Sequence, residues 1–169
     1  MNRNKNLRLL VITAIFAAAI TVTTAYILHI PIPTGGYVHV GDSLIYLAAC
    51  LLPLPWACAA GALGGATADL LTAPMWIVPT LIIKGIICLP FTRKSEKVIC
   101  FRNVLGIFIS GLVSPALYGV ATFILTGTKV AFIPQFLGTS MQGIGSGIVF
   151  VILGFAVDKA GLKKMLDRD

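Results

Sequence analysis

Five long apolar stretches, separated by short polar segments, dominate the hydropathy pattern of the chain. They run approximately over residues 8–28, 41–73, 75–91, 103–126 and 132–157. A helix needs about 20 apolar residues to cross the hydrocarbon core of a bilayer, so four of these stretches each predict one span. The second stretch is too long for one span, and the sequence Pro53-Leu54-Pro55 interrupts it.

The positions of the basic residues decide between five and six spans, because Lys and Arg accumulate in short cytoplasmic loops. A turn at Pro53–Pro55 gives six spans and places 11 of the 13 basic residues inside: Arg3, Lys5, Arg8, Arg93, Lys94, Lys97, Arg102, Lys159, Lys163, Lys164 and Arg168. Five spans would leave only Arg3, Lys5, Arg8 and Lys129 there. The charge pattern therefore favours six spans.

We predict an all-α integral membrane protein with both termini cytoplasmic and a short second helix. A single membrane domain over 1–169 would contain spans near 8–28, 41–52, 55–73, 76–91, 103–126 and 134–157. Three segments then face outward: His29–Val40, Leu71–Trp76 and Thr126–Pro134. The first is rich in turn-forming residues and can fold over a cavity as a lid, although passive connectors are the commoner case.

Composition agrees with a membrane protein and changes the meaning of the net charge. The chain is 57% hydrophobic and 11% charged, with a mean hydropathy of +0.95, whereas soluble domains carry about 25% charged residues. The formal charge of +7 would suggest nucleic acid binding in a soluble protein. Here it is interpreted as an orientation signal, because no basic stripe is interleaved with aromatic residues.

Three ionisable residues lie in or near the predicted spans, where a charge is costly and indicates function. Asp42 begins the second helix and can cap its N-terminus or contribute to a site. Asp69 and Lys84, on the third and fourth spans, can reach similar depth and form either a structural ion pair or the polar floor of a ligand site.

Uncharged polar residues recur on one face of each of the last two spans. Ser114, Tyr118 and Thr122 follow each other at intervals of four residues, and Gln135, Thr139 and Gln142 form a similar stripe. Such stripes can be interhelical hydrogen bonds. Their concentration toward the outer half favours a ligand pocket, over which the loop aromatics Tyr37, His39 and Trp76 can stack on a flat ring.

The sequence lacks the motifs of the common catalytic and metal-binding classes. It contains no P-loop, no H-E-x-x-H and no G-x-S-x-G, and its cysteines lie mostly in apolar runs without a C-x-x-C pair. We therefore expect no enzyme, no cofactor and no metal site.

An ordered series of motifs resembles the substrate-binding S components of energy-coupling factor (ECF) vitamin transporters, in the riboflavin-type and hydroxymethylpyrimidine-type branch. The series consists of PIPTGG (31–36), VHVGDS (38–43), YLAA (46–49), GALGGATADL (61–70) and PTLIIKG (79–85). The resemblance implies six membrane helices, with substrate bound near the outer face under the first outer loop. It also implies a coupling module of two ATPases and a transmembrane subunit, contacted through small residues of the first helix such as Ala14 and Ala18.

The predicted function is a high-affinity binding subunit for uptake of a small vitamin or vitamin precursor. The predicted binding residues are His39, Asp42, Asp69, Lys84, Tyr118, Gln135, Thr139 and Gln142. A hydroxymethylpyrimidine-like heterocycle is the first candidate, and pyridoxine, riboflavin or a deazaguanine base are alternatives. A solitary proton- or sodium-coupled carrier that uses Asp69 and Lys84 is the competing hypothesis.

Overall fold

A computed structural model describes residues 3–27, 29–31 and 37–167 of the chain. The loop residues 32–36, which belong to the predicted lid, lie outside the described residues, as does Arg168 of the predicted cytoplasmic charges. The elements in chain order are α1 (Arg3–Tyr26), β1 (Ile30–Pro31), β2 (Tyr37–Val38), α2 (Asp42–Leu51), α3 (Leu54–Thr72), a 3-10 turn (Pro74–Trp76), α4 (Ile77–Ile86), α5 (Phe101–Thr126), a second 3-10 turn (Lys129–Ala131), α6 (Phe132–Ala160) and α7 (Leu162–Asp167).

The long apolar stretch after Gly41 divides into two helices at the prolines, as the charge pattern predicted. Pro53 has extended ψ and accepts the first backbone hydrogen bonds of α3, from Trp56 and Ala57. A proline lacks the N–H that would continue the preceding helix. The α2 helix is therefore only ten residues long, or about 15 Å at 1.5 Å per residue.

The sequence did not predict the strands β1 and β2 or the helix α7. The strands β1 and β2 pair antiparallel, with Ile30 opposite Val38 and Pro31 opposite Tyr37. The described residues 29–31 and 37–40 are called the hairpin below. The short helix α7 follows Gly161, whose φ of +65° ends α6 in the left-handed conformation that glycine adopts without strain.

Much of the exposed surface is apolar, while a number of polar side chains are buried between the helices beside a hydrophobic core. Side chains on the outer faces of α5 and α6 are apolar and exposed, for example Phe101 at 86% and Leu112 at 69%. Buried side chains between the helices include Asn103, Ser110 and Ser146. Large exposed apolar surfaces indicate contact with lipid or protein, so this arrangement is typical of a helical membrane protein.

Three helices within the described residues are long and apolar enough to cross a bilayer. They are α1, α5 and α6 together with the 3-10 turn before it, Lys129–Ala160. The helix α2 lies inside the bundle, where it packs against α1, α3 and α6, and all of its side chains except that of Leu44 are buried.

Two glycines of α3 bring neighbouring helices close to the region of the buried charges. A Cβ at Gly64 would lie 2.7 Å from the carbonyl oxygen of Ala17 on α1. A Cβ at Gly65 would lie 2.9 Å from Lys84 Cγ on α4. The absence of a side chain at these positions lets α1 and α4 approach α3 closely, and it leaves room for the stem of Lys84.

Candidate functional site

A small polar cavity lies at one end of the bundle, where α2 and α4 begin. Its volume is about 30 Å³, enough for one or two water molecules. Seven of the eight predicted binding residues line it, namely His39, Asp69, Lys84, Tyr118, Gln135, Thr139 and Gln142. The others that line it are Thr24, Tyr37, Trp76 and Thr80. The cavity therefore collects residues from five helices and the hairpin.

A buried ion pair adjoins this cavity, which Lys84 lines and Asp42, the eighth predicted binding residue, does not. Lys84 Nζ donates to Asp42 Oδ1 at 2.6 Å, and each residue is only 1% exposed. Gln142 Nε2 donates to the other carboxylate oxygen of Asp42 at 2.8 Å. Desolvating two charges is costly unless further hydrogen bonds satisfy them, and the Gln142 amide supplies one. The three side chains join α2, α4 and α6.

The partner of Lys84 is thus Asp42, so the first of the two alternatives for Asp69 and Lys84, a structural ion pair, was wrong. The capping role considered for Asp42 was also wrong, because the N-cap position of α2 is occupied by Gly41, which has no side chain to cap the helix. As the first residue of a helix buried on nearly every side, Asp42 directs its carboxylate to α4 and α6 instead. Without this contact, Lys84 would be a buried cation without a counterion.

Asp69, on α3, contacts the hairpin. Its Oδ1 accepts a hydrogen bond from the hydroxyl of Tyr37 on β2, and the Tyr37 ring stacks on His29 with centroids 3.9 Å apart. Burial and the nearby Asp69 carboxylate raise the pKa of Tyr37, so this phenol stays protonated and donates. Asp69 Oδ2 is buried and has no hydrogen-bond partner within the described residues. Such an acceptor requires an explanation, and a ligand donor is one.

Tyr118 forms an aromatic wall of the cavity together with Trp76. The two rings lie 5.7 Å apart, and Lys84 Nζ lies 5.2 Å from the centroid of the Tyr118 ring. The Tyr118 hydroxyl is 2.7 Å from Thr80 Oγ1, so α4 and α5 are hydrogen-bonded at this level. A flat, electron-rich surface beside a cation suits a planar heterocycle.

The two polar stripes differ in how far they contribute to the cavity. On α6, Gln135 Nε2 donates to Thr139 Oγ1 at 3.1 Å, and both side chains line the cavity. On α5, only Tyr118 lines it. Thr122 donates instead to the Tyr118 carbonyl at 2.8 Å within its own helix, and Ser114 Oγ is buried without a hydrogen-bond partner among the residues described.

His39 is held in one orientation as a neutral ring. Gly41 donates its backbone N–H to His39 Nδ1 at 2.9 Å, so the ring proton is on Nε2, which remains a donor. Burial, opposed in part by the Asp42 carboxylate, lowers the pKa of His39 to about 3. His39 therefore presents an uncharged hydrogen-bonding edge at neutral pH.

The low pKa of His39 predicts a stability that decreases in acid. The pKa is about 3 in the folded chain and about 6.5 when unfolded, so between these values only the unfolded chain takes up the proton. The contribution is complete above about pH 6.5 and decreases by about 2 kcal/mol by about pH 5. Thermal unfolding in detergent between these pH values measures it. His39→Asn keeps an acceptor for Gly41 and should flatten the profile, whereas parallel profiles for the two proteins would contradict the assignment.

Two cavity residues had only a weak signal in the sequence. Thr80 precedes Lys84 by four residues and therefore lies on the same face of α4, a relation that could have identified it. Thr24 lies in the last turn of α1 and is buried, and its hydroxyl lies where a Cβ at Gly41 would be. That proximity depends on how α1 packs against α2 and has no local signature.

Two comparisons with known proteins bear on the family of this chain. A model of the family described as ECF-type riboflavin transporter, S component, matches residues 4–159. A protein of Pyrococcus woesei, described as an uncharacterized protein in gap 3'region, is 32% identical over 145 residues, covering 83% of this chain and 95% of that protein. The family match spans nearly the whole chain, beyond the motifs at 31–85 that suggested it. The chain therefore belongs to the ECF-type riboflavin transporter S component family, whose members are membrane-embedded, substrate-binding subunits of vitamin transporters.

Proposed function

We propose that the cavity beneath the hairpin binds a small planar nitrogen heterocycle, which the chain delivers to an ATP-driven coupling module. The observation that carries the proposal is the buried cluster around Lys84, in which a cation, two carboxylates and two amides meet aromatic rings. Polar groups at this depth indicate function by default. A polar, aromatic cavity in a family of vitamin-binding subunits is best explained as the substrate site.

The donors and acceptors of the site define the ligand. Asp69 Oδ2 is an acceptor without a partner among the described residues. His39 also lines the cavity, and its Nε2 is a hydrogen-bond donor. A ligand that carries both an N–H or O–H donor and a ring-nitrogen or carbonyl acceptor would complement them. Trp76 and Tyr118 would pack against its ring.

A hydroxymethylpyrimidine-like ring is the first candidate substrate, and riboflavin is the second. The small cavity volume of about 30 Å³ favours a single ring, because a one-ring ligand requires the least displacement of the hairpin. Riboflavin is favoured by the name of the matched family. Titration of the purified protein with both compounds distinguishes them, and tighter binding of riboflavin would reverse the order.

The proposed topology has six crossings, with the cavity end facing outward and both termini inside. The hairpin that carries Tyr37 and His39 then lies on the outer side, where substrate enters. The basic residues of the segment 93–102 lie at the other end of α4 and α5, which agrees with the preference for positive charge inside. Substrate binding from outside and energy coupling from inside are compatible with this arrangement.

Uptake experiments test the need for a coupling module. Cells that express this chain together with two ATPases and a transmembrane coupling subunit should accumulate labelled hydroxymethylpyrimidine or riboflavin. Cells with the chain alone should bind the label without accumulating it. Undiminished accumulation without the module would favour the ion-coupled carrier instead.

The exposed small-residue face of α1 is the proposed contact with the coupling subunit. Ala14 and Ala18 are both exposed, one turn apart, and small residues permit close approach of a second helix. Ala14→Trp with Ala18→Trp should reduce copurification of the module at least about tenfold while ligand affinity stays within about twofold. Leu112→Trp, on the exposed face of α5, is the matched control. Equal loss in the control, or full assembly of the double variant, would contradict this contact.

A further inference from the structure

A second, larger cleft lies at the opposite end of the bundle from the candidate site. Its volume is about 650 Å³, and it lies between the end of α2, the segment after α4 and the beginning of α5. The candidate site lies where α2 and α4 begin, whereas this cleft lies beyond the residues at which they end. The two are therefore separate, and none of the predicted binding residues lines the cleft.

The wall of the cleft is preformed by two side chains that fix the irregular segment 87–100. Asn103 accepts from the Thr92 backbone N–H at 2.7 Å and donates to the carbonyl oxygens of Thr92 and Val98. Asp158 accepts from the backbone N–H groups of Val98 and Ile99 at 2.7 and 2.9 Å. These bonds fix the backbone at both ends of the stretch 93–97, which contains three basic residues and has no regular secondary structure.

The cleft combines cations with apolar surface. Arg93, Lys94 and Arg102 line it together with a single acid, Glu96, which gives three positive charges against one negative. Leu54 and Leu89 line the same cleft and are 43% and 52% exposed. Charged and exposed apolar side chains thus share one surface at the boundary of the apolar helices.

We propose that this cleft binds an anionic phospholipid of the phosphatidylglycerol type. The phosphate would lie against Lys94 and Arg102, and the beginning of an acyl chain would lie along Leu54 and Leu89. A basic pocket between helices at a membrane boundary binds such headgroups. Under the proposed orientation the cleft faces the cytoplasmic leaflet, so the lipid would fix the depth of this end of the bundle in the membrane.

Charge and surface together favour a lipid over the other occupants of matching charge. A free phosphate would satisfy the cations but would leave the exposed leucines in water. An acidic segment of a coupling subunit would contact the cations but would make few contacts with the exposed leucines. An amphiphile with a negative headgroup matches both parts of the surface.

Native mass spectrometry of the full chain tests the proposal. The protein is incubated in detergent with phosphatidylglycerol and phosphatidylcholine of identical acyl chains, and the retained ratio is measured. Each cation near an anionic headgroup contributes a factor of about five in affinity, so Lys94→Gln with Arg102→Gln should lower the preference for phosphatidylglycerol about 25-fold. Lys5→Gln with Lys159→Gln removes two exposed cations outside the cleft and should retain the preference.

Several outcomes would overturn the proposal. Equal retention of the two lipids by the unmodified chain would remove its basis, as would an unchanged preference in the Lys94/Arg102 variant. Displacement of phosphatidylglycerol by millimolar inorganic phosphate would identify a phosphate site. If the Lys94/Arg102 variant kept its lipid preference but no longer copurified with the coupling module, the cleft would be a protein-docking surface.

Discussion

Replacing Lys84 by methionine is expected to lower the free energy of unfolding by about 3–5 kcal/mol, because the Asp42 carboxylate would remain buried without its cation. Methionine has a similar length and can fill the space beside Gly65 that the Lys84 stem occupies. Thermal unfolding in detergent measures the loss, and each kcal/mol corresponds to about 2–4 °C for a chain of this size. Ligand affinity should be lost as well, since Lys84 lines the cavity.

A second substitution separates the two losses. Asp42→Asn combined with Lys84→Met removes both charges while Gln142 retains an acceptor at position 42, so most of the stability should return. Replacing a buried ion pair by neutral groups is often close to neutral for stability. Ligand binding should stay absent in this double variant. Lys129→Met, at an exposed position of the second 3-10 turn, is the control for loss of a lysine. A double variant no more stable than Lys84→Met would contradict the ion-pair explanation.

Replacing Asp69 by asparagine is expected to weaken ligand binding about 10- to 100-fold with little change in stability. Hydrogen bonds to charged groups contribute about 1.5–3 kcal/mol, which corresponds to this range. Asparagine keeps an oxygen that can accept from Tyr37, but it replaces one carboxylate oxygen by a donor that faces a ligand donor. Isothermal titration with the preferred heterocycle measures the effect.

Two variants serve as controls for Asp69→Asn. Tyr37→Phe keeps the ring and removes the hydroxyl that donates to Asp69, so it measures the loss of that bond from the hairpin side. Glu96→Gln neutralises an acid that lines the distant cleft and should leave binding unchanged. If Tyr37→Phe weakened ligand binding as much as Asp69→Asn does, Asp69 would act by positioning the hairpin rather than by contacting the ligand.

Helix content and the faces of single helices were predictable because they depend on local patterns. The division at Pro53 followed from proline chemistry and the placement of basic residues. The stripe of Gln135, Thr139 and Gln142 followed from helical periodicity, and all three line the cavity. The intervals between such residues along the chain are enough to predict that they lie on the same face of a helix.

The choice of partners between helices was not predictable in the same way. Lys84 pairs with Asp42 rather than Asp69 because α2 lies inside the bundle and directs its first residue toward α4. The number of residues between two positions does not predict which helices pack side by side in the bundle. The hairpin was also missed, since strands of two residues each are too short to show alternation. Thr24 lines the cavity because of how α1 packs against α2, which leaves no local pattern in the sequence.

The most direct test of the substrate site is the identity of the small molecule that copurifies with the chain. Protein extracted in mild detergent is denatured, and released compounds are identified by mass spectrometry for the unmodified chain and for Asp42→Asn with Lys84→Met. The proposal predicts a planar nitrogen heterocycle near one equivalent from the unmodified chain and almost none from the folded double variant. Equal amounts of the same compound from both proteins would contradict a binding site built on Lys84 and Asp42.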